Sequence, residues 1–489
     1  MRLLDPTRIQ VASASGNNAM KPRHIASILA CSMVLSGCSL IPEYHRPTAP
    51  VRPTWPTGPA YASASANSGK MAPDIGWKEF FKDPGLRSVI GVALENNRDL
   101  RKAALNVDAY RALHRIQNAK LLPNVGAGAS ANIQRLPSDV SASGLPGMEN
   151  QYEVALGMSS YEVDFFGKVR SLSKQALETY LASDEAQRSE RIALVSEVAD
   201  AYLTWRTDQN LAKLTDATLA SNQKSLDLVE RNERKGIASA LAVRQARVAV
   251  DRARTQQAAD MRQVAQDINA LELLVGAPLP NDLPKEDPLD NTVIYNLPVG
   301  LSSDVLLRRP DIQAAEHQLL SANANIGAAR AAFFPSITLT ASAGTTSAGL
   351  KDLFTPGQGI WTFAPQINVP IFNGGSLKAS LDYSKIQKDI AIVQYEKSIQ
   401  VAFREVADGL AARSTYVDQL QAQRDLVQNN KEYFALANER FRQGISTYLT
   451  VLDAQRELLS SQQQLLSDHM LQLTTEISLY KALGGGLSE

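Results

Sequence analysis

The chain has 489 residues, enough for two to four domains, and its 44% apolar content is typical of a folded protein. It carries 50 basic and 50 acidic residues, so its net charge of zero gives no reason to expect nucleic acid as a partner. Aromatic residues make up only 6%, and Ala, Gln, Leu, Ser and Arg fill long stretches, a composition that favours long helices.

The first predicted element is an export signal, residues 1–37. A basic segment beginning at Lys21 precedes a short apolar stretch at 25–35. This stretch is too short to span a bilayer as a helix, so we expect the segment to be cleaved. Residues 1–19 look unlike a signal, and the sequence leaves both Met1 and Met20 open as the start.

Leu-Ser-Gly-Cys at 35–38 resembles a bacterial lipobox. By analogy, Cys38 becomes the acylated N-terminus of the mature chain, and Ser39 permits transfer to the outer membrane. The alternative is ordinary cleavage with Cys38 incidental. The other cysteine, Cys31, lies in the cleaved stretch, so the mature chain has no thiol for a disulfide, a metal site or a nucleophile. Residues 38–75 are rich in Pro, Ala, Ser and Thr and predict an extended, lipidated tether.

The remaining chain is predicted to contain two copies of one unit, repeat 1 at 76–290 and repeat 2 at 300–489. Four sequence landmarks recur in the same order, about 208 residues apart. For example, Arg-Lys-Gly-Ile-Ala-Ser-Ala-Leu, from Arg234, returns as Arg-Gln-Gly-Ile-Ser-Thr-Tyr-Leu, from Arg442. This period is far longer than that of solenoid repeats, so it indicates a duplicated domain.

Each repeat contains two predicted strands with strict two-residue alternation, near 124–134 and 152–159 in repeat 1 and near 336–343 and 361–369 in repeat 2. One face of each strand is apolar, and the length of the first strand, about ten residues, suits a tilted strand that crosses the hydrocarbon layer. The opposite faces carry Gly, Ser, Thr, Asn and Gln, which suit a wet lumen. The alternative is two soluble hairpins packed on helices. Aromatic residues suited to a membrane interface occur in these strands: Tyr152, Trp361 and Phe363.

Four strands cannot close a barrel, since about eight is the practical minimum. An open sheet in lipid would leave edge N–H and C=O groups unpaired, at a cost of several kcal/mol each. If these strands lie in a membrane, several chains must therefore share one barrel, and three chains would give twelve strands.

The rest of the chain is predicted to be helical. Residues 168–234 contain neither Pro nor Gly and would form a helix of roughly 100 Å. Their counterpart at 377–442 is broken only by Gly409. Helices this long need neighbours to bury their apolar stripes, which favours a tube of helices over a monomeric globule. Further helical segments are expected near 86–119 and 302–332, and glycines are expected to mark two tight reversals and two helix ends: Gly236, Gly444, Gly276 and Gly484.

The lipobox, the tether and the duplicated helix–strand–strand–helix unit together resemble the TolC-like outer membrane factors, in particular the acylated OprM-type (NodT) branch. Three segments match that branch: 161–170 its strand-to-helix signature, 447–456 its helix after the periplasmic tip, and 479–486 its C-terminal end. The resemblance implies a mainly α fold with a β-barrel part. A homotrimer would form a 12-stranded transmembrane β-barrel, continued by a long periplasmic α-helical barrel.

The resemblance also implies a location and a function. The chain would be an outer membrane lipoprotein that spans the membrane and has a large periplasmic part. It would serve as the passive exit duct of a tripartite pump for drugs and other small toxic compounds, and so contribute to antibiotic resistance. The implied partners are outer membrane lipid, a periplasmic adaptor (membrane fusion) protein and an inner-membrane transporter of the resistance-nodulation-division type. The alternative is a lipid-anchored periplasmic coiled-coil adaptor or scaffold without its own pore, which leaves the four amphipathic strands unexplained.

No catalytic, metal-binding or cofactor-binding constellation is visible. The histidines of the mature chain occur singly, without metal-ligand spacing. The Gly-Gly-Gly run at 484–486 lacks the Lys-Ser/Thr pair of a phosphate-binding loop. We therefore expect a protein that is not an enzyme and has no cofactor.

Leu449, Asp453 and Arg456 share one helical face just beyond the second reversal. By resemblance this face is the periplasmic aperture, with a Leu ring as an apolar constriction and an Asp ring as a like-charge collar. Arg456 is expected to pair with a neighbouring carboxylate, and Phe441 to add an aromatic ring. The alternative is a solvated helix face with an ordinary core Leu. Repeat 1 has Gln245 where repeat 2 has Asp453, so the two copies are not equivalent.

Overall fold

The computed structural model describes residues 39–61, 70–141, 144–280, 283, 297 and 302–487. The predicted signal and Cys38 lie outside these residues. The chain is mainly helical with a small antiparallel sheet. The helices of the described part are α1 Trp77–Phe80, α2 Pro84–Asn96, α3 Arg98–Ala119, α4 Lys168–Arg234, α5 Ala240–Val275, α6 Pro310–Ala331, α7 Ser376–Arg442 and α8 Tyr448–Ala482. The strands are β1 Val125–Leu136, β2 Gly147–Val163, β3 Ser336–Ser347 and β4 Gly359–Asn368.

The chain divides into two compact units. The sheet unit comprises Lys120–Leu172, Ile326–Leu381 and the described end of Met1–Ile41. The helical unit comprises Pro42–Ala119, Ser173–Asn325 and Asp382–Glu489. Each unit draws on both halves of the sequence. Within the described residues, no helix combines the length and the apolar composition needed to cross a membrane.

The sheet unit is built on four antiparallel strands in the order β1-β2-β3-β4. Its register aligns the predicted polar faces: Gly126 lies opposite Gly157, Gly157 opposite Ser342, and Ser342 opposite Thr362. The hydroxyl oxygens of the last two residues are 2.7 Å apart. Because alternate residues share a face, the predicted polar and apolar faces continue across all four strands. Within the described chain, β1 and β4 each have one side without a partner strand.

The strand β2 contains a bulge that was not predicted. The register shifts between Met158 and Tyr161, where Ser160 has a φ of 55° and its N–H donates to Thr340 Oγ1 at 3.2 Å. The extra residue allows β2 to continue to Val163 instead of ending near 159, with Val163 opposite Ile337. The apolar side chains therefore stay on one face beyond the bulge.

Asp164 joins the sheet to α4 by capping the N-terminus of that helix. Its carboxylate accepts hydrogen bonds from the N–H groups of Val169 and Arg170, at 3.1 and 2.9 Å. These bonds satisfy donors that the first turn of a helix leaves free. The helix then runs for 67 residues, with the bounds expected from the lack of Pro and Gly. Its counterpart α7 also has 67 residues and begins one residue earlier than expected, at Ser376.

The two shorter helical segments are each interrupted, which the sequence analysis did not anticipate. Asn97 separates α2 from α3, and its side chain accepts a hydrogen bond from the N–H of Leu100 at 2.7 Å. In repeat 2, a 3-10 helix at Ser303–Arg308 precedes α6. Pro310 begins α6, and a residue before proline is disfavoured from helical geometry, so Arg309 is extended.

The predicted tether is extended, but it is bound to α6. The Tyr44 hydroxyl donates to Glu316 Oε1 at 3.0 Å, and the Arg46 guanidinium donates to both oxygens of Glu316 at 2.8 Å. The Asn323 side chain also donates to the Pro42 carbonyl oxygen at 2.9 Å. This segment therefore has a fixed path along the helix in the helical unit.

The core of the helical unit includes the end of α8 and the glycines that follow it. Tyr480 is 1% exposed and stacks on Phe80, with 4.0 Å between the ring centroids. Its hydroxyl donates to the Ile75 carbonyl oxygen at 2.6 Å. Gly484, with a φ of 83°, ends the helix region, and Gly485 lies directly against the Tyr480 ring. The glycine run therefore packs against the core, as expected for a helix end.

The stability of this core is expected to depend on pH because of Asp200. Burial raises the pKa of Asp200 to about 7, with Lys481 lowering it and Glu197 raising it. Its Oδ1 has no hydrogen-bond partner among the described residues. Because the pKa is higher in the folded than in the unfolded chain, the contribution of Asp200 to stability is complete below about pH 4 and is lost as the pH rises through about 7.

Asp200→Asn is therefore expected to stabilise the helical unit near pH 8, by on the order of 4 kcal/mol, and to have almost no effect near pH 4. The measurement is thermal denaturation followed by far-UV circular dichroism at both pH values. Asp227→Asn, at an exposed position of the same helix, is the matched control. An equal gain from Asp200→Asn at both pH values would show that ionisation is not its cause.

Candidate functional site at the helix reversals

Two glycines turn the chain from each long helix into the shorter helix that follows it. Gly236 and Gly444 have φ values of 73° and 74°, a conformation that favours glycine. The N–H after each glycine donates to the carbonyl oxygen five residues earlier, at 2.8 Å for Ile237 and 2.9 Å for Ile445. Both reversals were predicted, and they have the same construction.

The two reversals belong to one packed group. A small apolar cluster, named here the tip cluster, joins residues of α4, α5 and α8. Tyr448 of α8, which follows the second reversal, belongs to the same cluster as Val243 and Val250 of α5, which follows the first reversal. The two copies of the motif are therefore neighbours in the helical unit. The buried members of the tip cluster are Leu226, Val229, Val243, Ala246, Val250, Tyr448 and Val451.

The predicted aperture residues lie on the face of α8 that is turned away from the tip cluster and is exposed in the single chain. Leu449 is 49% exposed, whereas Tyr448 and Val451 beside it are buried. Arg456 forms an ion pair with Asp453 one turn away on the same helix; the Arg456 side chain is exposed and the Asp453 side chain is about half exposed. This pair neutralises Asp453 locally, but within one chain it does not connect two helices.

Phe441 lies against the tip cluster. Its ring centroid is 5.4 Å from that of Tyr448, with the planes tilted by 52°. Within one chain its contact is therefore part of the packing of the second reversal.

An open groove lies between α5 and α8 beside these residues, with a cavity volume of about 600 Å³. Leu449 and Arg456 line it from α8, and Leu241 and Val248, at the matching positions of the predicted repeat 1, line it from α5. The helices that follow the two reversals therefore form the two walls of the groove.

Arg244 and Arg252 also line this groove and were not predicted. Their spacing in the sequence could have identified them. Leu241, Arg244, Val248 and Arg252 recur at spacings of three and four, which places them along one helical face. In contrast, no three His, Cys, Asp or Glu side chains come together as a metal site would require anywhere in the described ranges.

Comparisons with known proteins relate both halves of the chain to efflux proteins. The model of the outer membrane efflux protein family matches twice, over residues 89–277 and 301–485. The chain is 56% identical over 467 residues to the toluene efflux pump outer membrane protein TtgC of Pseudomonas putida, and the match covers 96% of each chain. It is 40% identical over 470 residues to the outer membrane protein OprJ of Pseudomonas aeruginosa, covering 96% of this chain and 97% of that protein.

The structure is similar to the crystal structure of the open state of the Neisseria gonorrhoeae MtrE outer membrane channel. The TM-score is 0.84 at 39% sequence identity, and the match covers 92% of this chain and 99% of that channel. These similarities extend over nearly the whole described chain, so they include the sheet, the long helices and both reversals.

Proposed function

The chain belongs to the outer membrane efflux protein family, and from this we propose that three copies of it form the outer membrane exit duct of a tripartite efflux pump. The chain is a channel protein of the outer membrane and not an enzyme. Its place in such a pump implies an adaptor and a transporter as partners, and we propose an inner-membrane transporter of the resistance-nodulation-division type. Its P. putida relative is named for toluene, which supports small apolar compounds as cargo.

The observation that carries the trimer is the sheet with two open edges. β1 and β4 each have an unpaired side within the described chain, and one face of the sheet carries mainly Gly, Ser, Thr, Asn, Gln and Glu. In lipid, every strand edge must find a partner. Pairing β4 of one chain with β1 of the next preserves the antiparallel order and closes twelve strands around a polar lumen. An adaptor without a pore would leave both faces of this sheet without a role.

Light scattering of the purified protein in detergent tests this assembly, and planar bilayer recording tests the pore. We expect a trimer that conducts ions. A stable monomer that keeps its full sheet content would contradict the shared barrel. A trimer that never conducts would contradict the duct.

We further propose that residues 76–290 and 300–489 are copies of one duplicated unit. The equal length of α4 and α7 and the matching construction of the two reversals support this proposal.

Acylation at Cys38 is proposed as an aid to anchoring. Acyl chains contribute about 0.8 kcal/mol per buried CH₂, whereas a twelve-stranded barrel would bury far more apolar area. Cys38→Ser behind a conventional signal sequence is therefore expected to reach the outer membrane and form pores of unchanged conductance. Membrane fractionation and bilayer recording measure both properties. Recovery of this variant as a soluble periplasmic protein would refute the barrel.

We propose that Leu449, Asp453 and Arg456 line the periplasmic aperture of the trimer, with Phe441 supporting it. Leu449→Ala is expected to widen the narrowest point and raise single-channel conductance. Asp453→Ala removes three carboxylates and leaves three unpaired Arg456 side chains, so cation preference is expected to fall. Arg456→Ala leaves Asp453 unpaired and is expected to increase that preference.

The three variants are compared in one bilayer at low salt, where screening is weakest. Asp227→Ala, at an exposed position on α4, controls for a general loss of negative charge. If conductance and selectivity are unchanged in both Leu449→Ala and Asp453→Ala, this face packs against another helix and does not line the pore.

A further inference from the structure

We propose that the groove between α5 and α8 is a binding site for amphipathic organic anions, meaning molecules with an apolar ring body and one carboxylate or sulfonate. This inference goes beyond the duct, because it assigns the wall of the helical unit a ligand of defined charge. A cavity volume of about 600 Å³ lies in the range of small-molecule sites, which is roughly 300–1,000 Å³.

The charge of the groove determines the class of ligand. Three arginines line it, Arg244, Arg252 and Arg456, and none of the described residues lining it is acidic. Arg456 is already paired with Asp453. Neither Arg244 nor Arg252 forms an ion pair with a carboxylate of the described residues. The groove therefore has two guanidinium groups available, and guanidinium binds carboxylates and sulfonates with charge-assisted hydrogen bonds.

The stretch of α5 that lines the groove, residues 240–256, contains two other arginines, and both have acidic neighbours. Arg247 pairs with Glu230 of α4, with 2.9 Å between Nη2 and Oε1, and Arg254 lies 3.7 Å from Asp251. Neither of them lines the groove. Within this stretch, the arginines without an ion pair are therefore the ones that line the groove, which supports an anionic occupant.

The apolar side chains of the groove indicate that the rest of the ligand is apolar. Leu241, Val248, Leu449 and Leu459 line the groove together with the arginines. Leu241 and Leu449 are 67% and 49% exposed, so a ligand that covers them gains hydrophobic free energy. Arg244 and Arg252 are eight residues apart, a rise of about 12 Å along the helix. A fused-ring body fits along this length, with its anionic group at either arginine.

The test compares two dyes that share an aromatic body. 8-Anilino-1-naphthalenesulfonate carries the sulfonate, and N-phenyl-1-naphthylamine lacks it. Each is titrated by fluorescence against the full-length trimer in lipid nanodiscs, with empty nanodiscs subtracted. We expect the protein to bind the sulfonate more tightly, and Arg244→Gln/Arg252→Gln to weaken sulfonate binding about tenfold or more. The neutral dye is expected to bind both proteins equally.

Two further variants sharpen the test. Arg247→Gln removes a cation of the same helix outside the groove and is expected to leave sulfonate binding unchanged. Val248→Glu places a carboxylate in the groove and is expected to abolish sulfonate binding while the neutral dye still binds. Far-UV circular dichroism checks that each variant is folded.

Equal sulfonate binding by the unsubstituted protein and Arg244→Gln/Arg252→Gln would overturn the proposal. The proposal would also be overturned if the unsubstituted trimer did not bind the sulfonate and Arg244→Gln/Arg252→Gln destabilised the trimer. A neighbouring copy would then fill the groove. Binding is measured without reference to conductance, so a negative result here leaves the duct proposal to its own tests.

Discussion

Arg413→Met is expected to destabilise the helical unit by about 3–5 kcal/mol, because it leaves a buried carboxylate without its partner. Arg413 of α7 binds both oxygens of Glu476 of α8, at 2.8 and 2.5 Å, and donates to the Leu297 carbonyl oxygen at 3.0 Å. The Glu476 side chain is only 3% exposed. Burial raises the pKa of Glu476 while Arg413 lowers it, so without Arg413 this carboxyl group is expected to take up a proton more readily.

The loss is therefore expected to be smaller at low pH, where Glu476 is protonated in the variant. Arg413→Met/Glu476→Leu is expected to recover most of the stability, since replacing both partners removes the unpaired buried charge. Arg404→Met is the matched control on the same helix: its partner Asp408 is 3.8 Å away, both side chains are more than two-thirds exposed, and we expect a change below about 0.5 kcal/mol. Thermal denaturation of the four proteins measures these differences. Equal losses in Arg404→Met and Arg413→Met would contradict the role of burial.

Gly485→Ala is expected to destabilise the C-terminal end of the core by about 3 kcal/mol, through overpacking. A Cβ at this position would lie inside the ring of Tyr480. That ring is held by its stack on Phe80 and by the hydrogen bond to Ile75, so it cannot move aside without losing both. Far-UV circular dichroism on heating measures the loss.

Gly91→Ala serves as the control for glycine replacement. A Cβ on Gly91, inside α2, meets nothing within 4 Å, and we expect a gain of about 0.5–1 kcal/mol from the reduced freedom of the unfolded chain. Tyr480→Ala is expected to be costly alone, but Gly485→Ala should add nothing to it, because the collision is then absent. Full additivity of the two substitutions would show that the alanine acts on a contact other than Tyr480.

The long elements of this fold were predictable because they depend on local rules. The lack of Pro and Gly gave the limits of α4, and two-residue alternation gave the two faces of the sheet. The bulge at Ser160 was missed, although the apolar positions shift from even numbers at 152–158 to odd numbers at 161 and 163, as one inserted residue requires. The docking of Tyr44 and Arg46 on Glu316 joins residues more than 260 positions apart, and no periodicity reports such a pairing.

The candidate site was only half predictable for a similar reason. The spacing of Leu449, Asp453 and Arg456 identified one face of α8, but the matching face of α5 becomes a groove wall only when the two helices lie side by side. Arg456 was expected to pair with a neighbouring carboxylate, and in this chain it pairs with Asp453 of its own helix. A partner three residues away was visible in the sequence, but the choice between it and a more distant carboxylate depends on packing.

The two matching reversals have a consequence for how the duct could diversify. A half-length protein that assembled six identical copies would carry the same residue at all six tips, and any substitution would change all of them. With both copies in one chain, Gln245 and Asp453 occupy equivalent positions with different charge, as do Arg244 and Leu452. In the proposed trimer, a single substitution then alters three tips and leaves the other three as they were. The charge of the side chains at the two kinds of tip can thus change independently, while the backbone of the repeated helices stays the same.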